Sequence, residues 1–146
     1  MIEPVTSSNL DEVLPLIREY QAFYKVSDIS DARNKTFFSQ FSDSSQFGCQ
    51  FIYRDSGLVV GFATVYFTFT STIAKKVAVL NDLYTLPTHR GKGVGRALIE
   101  HCHHYAEQNN AARLQWITAP DNERAQRLYD SMKTSKSSWH HYTYNT

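Results

Sequence analysis

Leu83-Tyr84-Thr85-Leu86-Pro87-Thr88-His89-Arg90-Gly91-Lys92-Gly93-Val94-Gly95-Arg96-Ala97-Leu98 reads as the end of a strand, a proline stop, a glycine-rich turn and the start of a helix. A helix N-terminus presents unpaired N–H groups and the positive end of a dipole. Glycines let a ligand approach that backbone closely, so the turn is a candidate anion cradle with phosphate as its natural guest. The competing reading is a glycine turn that merely starts a helix. Spacing excludes two common phosphate loops. A Walker loop fails because Lys92 lies between Gly91 and Gly93. A dinucleotide fingerprint counted from Gly91 meets Arg96 where its last glycine belongs, and it comes too late in the chain for a first βαβ unit.

Outward from this stretch, the periodicity predicts a strand at 2–5 and a helix from Leu10 to Tyr24, with Asn9 and Glu12 as its capping pair and Pro15 as a source of a kink. A shorter helix follows over Asp31–Phe41. The pattern then changes to strands: Cys49–Arg54, Leu58–Thr70 and Lys76–Leu86, rich in β-branched and aromatic residues. After the glycine turn, Ala97, Leu98, Cys102, Tyr105 and Ala106 fall on one helical stripe. A short strand at Leu114–Thr118, a helix at Asn122–Met132 and a terminal strand at Trp139–Tyr144 complete the order. No repeat, linker or low-complexity tract interrupts it.

The chain has 146 residues, 42% hydrophobic and 20% charged, which suits one soluble domain with a real core and argues against disorder. No apolar run approaches the ~20 residues of a membrane span, and Met1-Ile2-Glu3-Pro4 is no signal sequence, so a cytoplasmic protein without a membrane partner is expected. Cys49 and Cys102 form neither a disulfide framework nor a zinc set. His101 and His104 can share a helical face without completing a ligand set, so no metal is expected. A net charge of +1 argues against a nucleic-acid partner. It conceals a split: residues 1–72 carry −3 and residues 73–146 carry +4, which suits a cation on one half and an anion on the other.

Arg90-Gly91-Lys92-Gly93-Val94-Gly95 fits the pyrophosphate-binding signature [Arg/Gln]-x-x-Gly-x-[Gly/Ala] and follows a strand ending in Asn81-Asp82-Leu83-Tyr84. Downstream, Trp116 and then Asn122, Ala125 and Leu128-Tyr129 match a second landmark, Asn-x-x-Ala-x-x-Leu/Phe-Tyr. In these two motifs the chain resembles the GCN5-related N-acetyltransferase (GNAT) family, and the order of elements follows that family over nearly the whole length. Tyr20–Val26, Asn81–Tyr84 and the 116–129 stretch look most like its histone and polyamine acetyltransferase subgroup. Two departures stand out. Lys133 replaces a glycine often found four residues past the tyrosine, which puts the turn into the last strand in question. Asn81 stands where diamine acetyltransferases carry a substrate-contacting glutamate.

The resemblance implies an α/β (α+β) fold in a single N-acetyltransferase domain over 1–146, with a central mixed, mostly antiparallel twisted sheet of six to seven strands flanked by four helices. It implies acetyl-CoA as cosubstrate and a primary amine, a polyamine or another small amine, as acceptor. Direct attack in a ternary complex is expected, because no cysteine stands within the motifs as an acyl carrier. Acetylation of a protein lysine or amino terminus and a non-catalytic acetyl-CoA-binding module are the alternatives. Many members dimerise, so a homodimer carries over as an analogy.

Residue by residue, the resemblance gives the N–H groups of Gly91, Lys92, Gly93, Val94, Gly95 and Arg96 to the pyrophosphate, with Arg90 and Lys92 adding charge. The edge at Leu83, Tyr84 and Thr85 would pair with the pantetheine arm, and Asn122 and Ala125 would border it. Tyr129 would be the general acid that protonates the leaving thiolate; a phenol with a reference pKa of ~10 holds its proton at neutral pH. Asp82 is the candidate base, provided strand alternation turns it toward the cleft. Glu19, Tyr24, Asp28 and Asn81 are the candidate acceptor contacts. Tyr20, Phe23, Tyr66 and Phe67 could line the same pocket, or belong to the core.

Overall fold

Alternating apolar residues between Gly48 and Thr85 form the centre of the molecule, a sheet whose strands follow one another in chain order. The computed structural model describes residues 1–146. Its elements are β1 (Ile2–Pro4), α1 (Leu10–Phe23), α2 (Asp31–Phe38), β2 (Gly48–Asp55), β3 (Leu58–Thr70), β4 (Lys75–Thr85), a 3-10 turn (Pro87–His89), α3 (Val94–Gln108), β5 (Leu114–Gln115) and α4 (Glu123–Asp130). The chain divides into two compact units, Met1–Trp116 and Ile117–Thr146.

In the first unit the sheet order is β1-β2-β3-β4-β5. The first three pairings are antiparallel, and β4 with β5 is parallel. The sheet is therefore mixed, but it has five strands rather than the expected six to seven. Its two faces are set by residue parity along each strand. Phe62 of β3 packs against Tyr20 of α1, and Ile52 of β2 joins Val13, Ile17 and Phe38 in the core under α1 and α2. On the opposite face Phe51 meets His101 and Tyr105 of α3, and Phe67 stacks on Tyr105.

β4 carries a bulge. Val65 pairs with Leu80 and Thr64 with Asp82, so Asn81 is an extra residue on that strand. A one-residue insertion moves every later side chain to the other face. Before the bulge Leu80 shares the α3 face with Val65; after it, Asp82 and Tyr84 share the α1 face with Thr64 and Phe62.

Several expectations are corrected. The terminal strand at Trp139–Tyr144 is absent: residues 133–146 have no regular structure, and Trp139, Tyr142 and Tyr144 are exposed. In that segment alternation would mix histidine with aromatic residues on one face and aromatic with polar residues on the other. Neither face is uniformly apolar, and propensity without burial does not make a strand. Lys133 also denies the preceding turn a glycine. The strand expected at Leu114–Thr118 shortens to Leu114–Gln115. Asn9 and Glu12 do not form a capping pair. The Asn9 side-chain Oδ1 accepts from the Thr6 N–H at 2.7 Å, while Glu12 is held by the Arg54 guanidinium at 2.7 Å, which lowers its carboxyl pKa. The same Arg54 binds Glu3 at 2.7 Å and so ties β1, β2 and α1 together. Helix α1 continues through Pro15.

Candidate active site

The glycine turn takes the conformation its residues allow. Gly91 and Gly93 lie at φ 75° and 84°, in the left-handed region that only glycine enters at little cost. A Cβ at either position would meet no atom within 4 Å, so backbone conformation rather than crowding demands glycine there. Gly93 is the N-cap of α3 and supplies no side chain to its first turn. The leading N–H groups of Val94, Gly95 and Arg96 thus begin a helix with no side-chain cap, the arrangement that suits an anion. Lys92 is exposed beside them, and Val94 is buried. Arg90 is not merely solvated. Its Nε donates to the Thr85 carbonyl at 2.9 Å and its guanidinium lies 5.5 Å over the Tyr84 ring, latching the turn to the end of β4.

β4 presents the second element. β5 pairs only with Ala78 and Val79, so from Leu80 to Thr85 the strand has no strand partner on that edge. Leu83, Tyr84 and Thr85 lie on this open stretch, whose peptide groups can pair with an extended ligand as an added strand would. The bulge decides the position of Asp82. Its carboxylate is turned to the α1 side, 6% exposed, with Oδ1 accepting from the Asn81 amide at 3.1 Å and Oδ2 buried without a hydrogen-bond partner. Burial pushes its pKa above the ordinary carboxylate value, against the opposing pull of the Thr64, Tyr20 and Asn81 polar groups.

The acceptor-side candidates divide. Glu19 reaches this region, accepting from the Tyr84 hydroxyl at 3.4 Å, and burial together with Glu19 raises the Tyr84 phenol. Tyr24 is exposed and stands edge-on to Tyr20 with ring centres 5.0 Å apart. Tyr20 in turn directs its hydroxyl to the Asn81 carbonyl at 3.5 Å, so the aromatic run leads from the surface to the bulge. Asn81 is exposed and occupies the bulge itself. Asp28 is drawn elsewhere, into an ion pair with Arg33 at 3.3 Å.

In the second unit Asn122 caps α4, its side chain accepting from the Ala125 N–H at 3.2 Å. Ala125, Leu128 and Tyr129 share one face of that helix by their spacing. The Tyr129 carbonyl accepts from the Thr134 hydroxyl at 2.9 Å, which secures the helix end.

Sequence reading missed two buried residues beside Asp82, Gln50 and Thr64, which are completely buried. A signal was present: a glutamine between Cys49 and Phe51, in a strand otherwise rich in apolar residues, is a polar side chain assigned to a core position. The cysteines are both free and buried, and burial pushes the Cys49 thiol up to about 12 and Cys102 higher still, which makes poor nucleophiles of both. No group of three or more His, Cys, Asp or Glu side chains is placed to hold a metal ion. No helix is long and apolar enough to cross a membrane.

Comparison with known proteins identifies the family. Residues 14–133 match the family model described as the acetyltransferase (GNAT) family. An uncharacterized N-acetyltransferase of Bacillus subtilis (strain 168) is 31% identical over 129 residues, spanning 88% of this chain and 85% of its own. A D-amino-acid N-acetyltransferase of Saccharomyces cerevisiae is 34% identical over 125 residues, 83% of this chain and 77% of its own. The crystal structure of a probable acetyltransferase superposes with a TM-score of 0.87 at 26% identity, covering 100% of this chain and 97% of its own.

Proposed function

The chain is an acetyl-transferring enzyme of the acetyltransferase (GNAT) family, and we propose that it works as one catalytic domain over residues 1–146, moving an acetyl group from acetyl-CoA to the primary amine of a small molecule. The observation that carries this reading is the buried Asp82 carboxylate, whose one unpartnered oxygen lies on a residue within the open stretch of β4.

The chemistry has two requirements. An amine attacks only when neutral, so something must take its proton. Asp82 is the base: its buried Oδ2 has no partner and so has the capacity to take a proton, directly or through water, and its raised pKa brings its basicity closer to the operating pH than that of an exposed aspartate. The second requirement is a held acyl donor. Acetyl-CoA supplies a thioester-activated acetyl group, a pyrophosphate and an extended arm. The uncapped start of α3 with Gly91 and Gly93 suits the pyrophosphate, and the open edge over Leu83–Thr85 suits the arm. An N–H of that edge can polarise the thioester carbonyl. Asn122 would border the arm while serving as a helix cap, and Tyr129 would return a proton to the departing thiolate. Because both thiols are buried, transfer proceeds by direct attack rather than through a cysteine.

Glu19, Tyr24 and Asn81 form the acceptor side, with carboxylate charge and aromatic faces that suit an ammonium group before it loses its proton. Asp28 contributes less, since Arg33 already neutralises it. A D-amino-acid acetyltransferase among the relatives supports a small amine as acceptor.

A thiol-release screen tests the proposal, with acetyl-CoA and polyamines, D- and L-amino acids and lysine peptides as acceptors. Release with a small amine is expected, and release with peptides alone would redirect the reading to a protein acetyltransferase. Binding of acetyl-CoA without release for any acceptor would make the chain a binding module. Tyr129→Phe is expected to keep acetyl-CoA affinity and lose turnover about 100-fold; unchanged turnover would remove Tyr129 from the mechanism.

A further inference from the structure

Gln50, Thr64 and Asp82 lie on three adjacent strands as register partners. Gln50 faces Thr64 across β2 and β3, and Thr64 faces Asp82 across β3 and β4. Directly opposed residues share a face with their Cβ atoms ~5 Å apart, so the three form one polar row across the α1 side of the sheet. All three are buried. The adjacent row on that face is Ile52, Phe62 and Tyr84, packed into the core.

The row has a direction. Gln50 Nε2 donates to Thr64 Oγ1 at 3.2 Å. A hydroxyl that accepts there still has its own proton to donate, and the residue opposite is Asp82, whose ionised form Thr64 favours. Chained donors polarise one another, so the amide strengthens the hydroxyl as a donor. Both ends of the row carry an orphan: Gln50 Oε1 at one end and Asp82 Oδ2 at the other have no partner. Apolar residues of similar volume would avoid both orphans, so stability alone does not account for the row.

We propose that Gln50 and Thr64 are positioning residues, a buried hydrogen-bond relay that holds Asp82 as an oriented carboxylate whose Oδ2 is left without a partner to take the proton of the acceptor amine. The inference rests on Asp82 as the base. The titratable groups facing Asp82 are Tyr20 from α1 and Tyr66 on β3; burial and the nearby Asp82 charge raise both phenols, so neither adds charge at ordinary pH. Glu19, next to Tyr20 on α1, is engaged by the Tyr84 hydroxyl. Thr64 of the relay, the Tyr20 hydroxyl and the Asn81 amide are thus what oppose the cost of burying the charge.

The test is an NMR titration of the Asp82 carboxyl carbon, assigned by its loss in Asp82→Asn, in the full chain and in Thr64→Val, Thr64→Ser and Gln50→Leu. It is paired with the pH profile of kcat/KM for an accepted amine. Thr64→Val is expected to move the titration upward and to lower kcat/KM on the acidic side roughly 5- to 10-fold relative to its plateau. Thr64→Ser restores both, and Gln50→Leu moves both in the same direction by less. An unchanged Asp82 titration in folded Thr64→Val overturns the relay; if that variant does not fold, Thr64→Ala is read in its place. A titration that moves while the kinetic profile stays fixed supports the relay and removes Asp82 as the base, so the two failures are distinct.

Discussion

The two faces of the sheet solve opposite problems with the same strands. On the α3 side, Cys49, Val65, Leu98 and Cys102 are completely buried apolar groups, and none of them leaves an orphaned polar atom. On the α1 side, the same strands bury Gln50, Thr64 and Asp82, and both orphaned side-chain atoms of the structure belong to that row. An unpaired buried polar group costs ~1–3 kcal/mol, so one face maximises stability and the other gives some of it up. The difference teaches why the proposed chemistry is assigned to the α1 side: it is the face that tolerates unsatisfied groups, next to the strand edge that has no partner.

Four measurements can break or sharpen this contrast. Asp82→Asn is expected to lower kcat/KM about 10²- to 10³-fold, ~3–4 kcal/mol of barrier, with no fall in melting temperature. A destabilised variant with near-normal turnover would make Asp82 structural and erase the distinction between the faces. Leu98→Ala, on the opposite face, is expected to lose about 3 kcal/mol of stability in denaturant melts while kcat of the folded fraction stays within about 3-fold. Gly93→Ala costs ~1 kcal/mol because its φ of 84° is strained for any other residue, and weaker acetyl-CoA binding by calorimetry is expected to accompany it. The smallest effect is pH-dependent. A carboxyl whose folded pKa is raised contributes stability that is full below its unfolded value and is lost as pH rises through the folded value. Wild type should therefore gain stability over Asp82→Asn as pH falls from neutral through that window. Parallel stability curves would mean that Asp82 does not feel its burial.

What could be read from the sequence was local. The turn around Gly91 and Gly93, the helix that follows it and the three long strands depend on neighbours within a few residues, and all are present. The features that escaped depend on distant partners. The cap expected at Asn9 failed because Glu12 is claimed by Arg54, 42 residues away. The last strand failed because a strand needs an edge and a buried face as well as aromatic composition. Of the candidate site, the glycine turn with its left-handed Gly91 and Gly93 was legible, and so was the presence of a carboxylate at position 82. The side on which Asp82 would lie was not, because a single extra residue in β4 decides it. The roles of Gln50 and Thr64 depend on register between strands, which no short window contains.

That extra residue gives the molecule a parity switch. A strand is a binary code in which odd and even positions address different faces, and Asn81 inverts the code halfway along β4. Regular alternation through Asn81, without the bulge, would send Asp82 toward α3 and Leu83 toward α1; removing Asn81 altogether would instead join Leu80 to Asp82 with each on its present face. Position 81 therefore works twice: its place in the bulge sets the face on which Asp82 lies, and its amide holds Oδ1 of the carboxylate so placed.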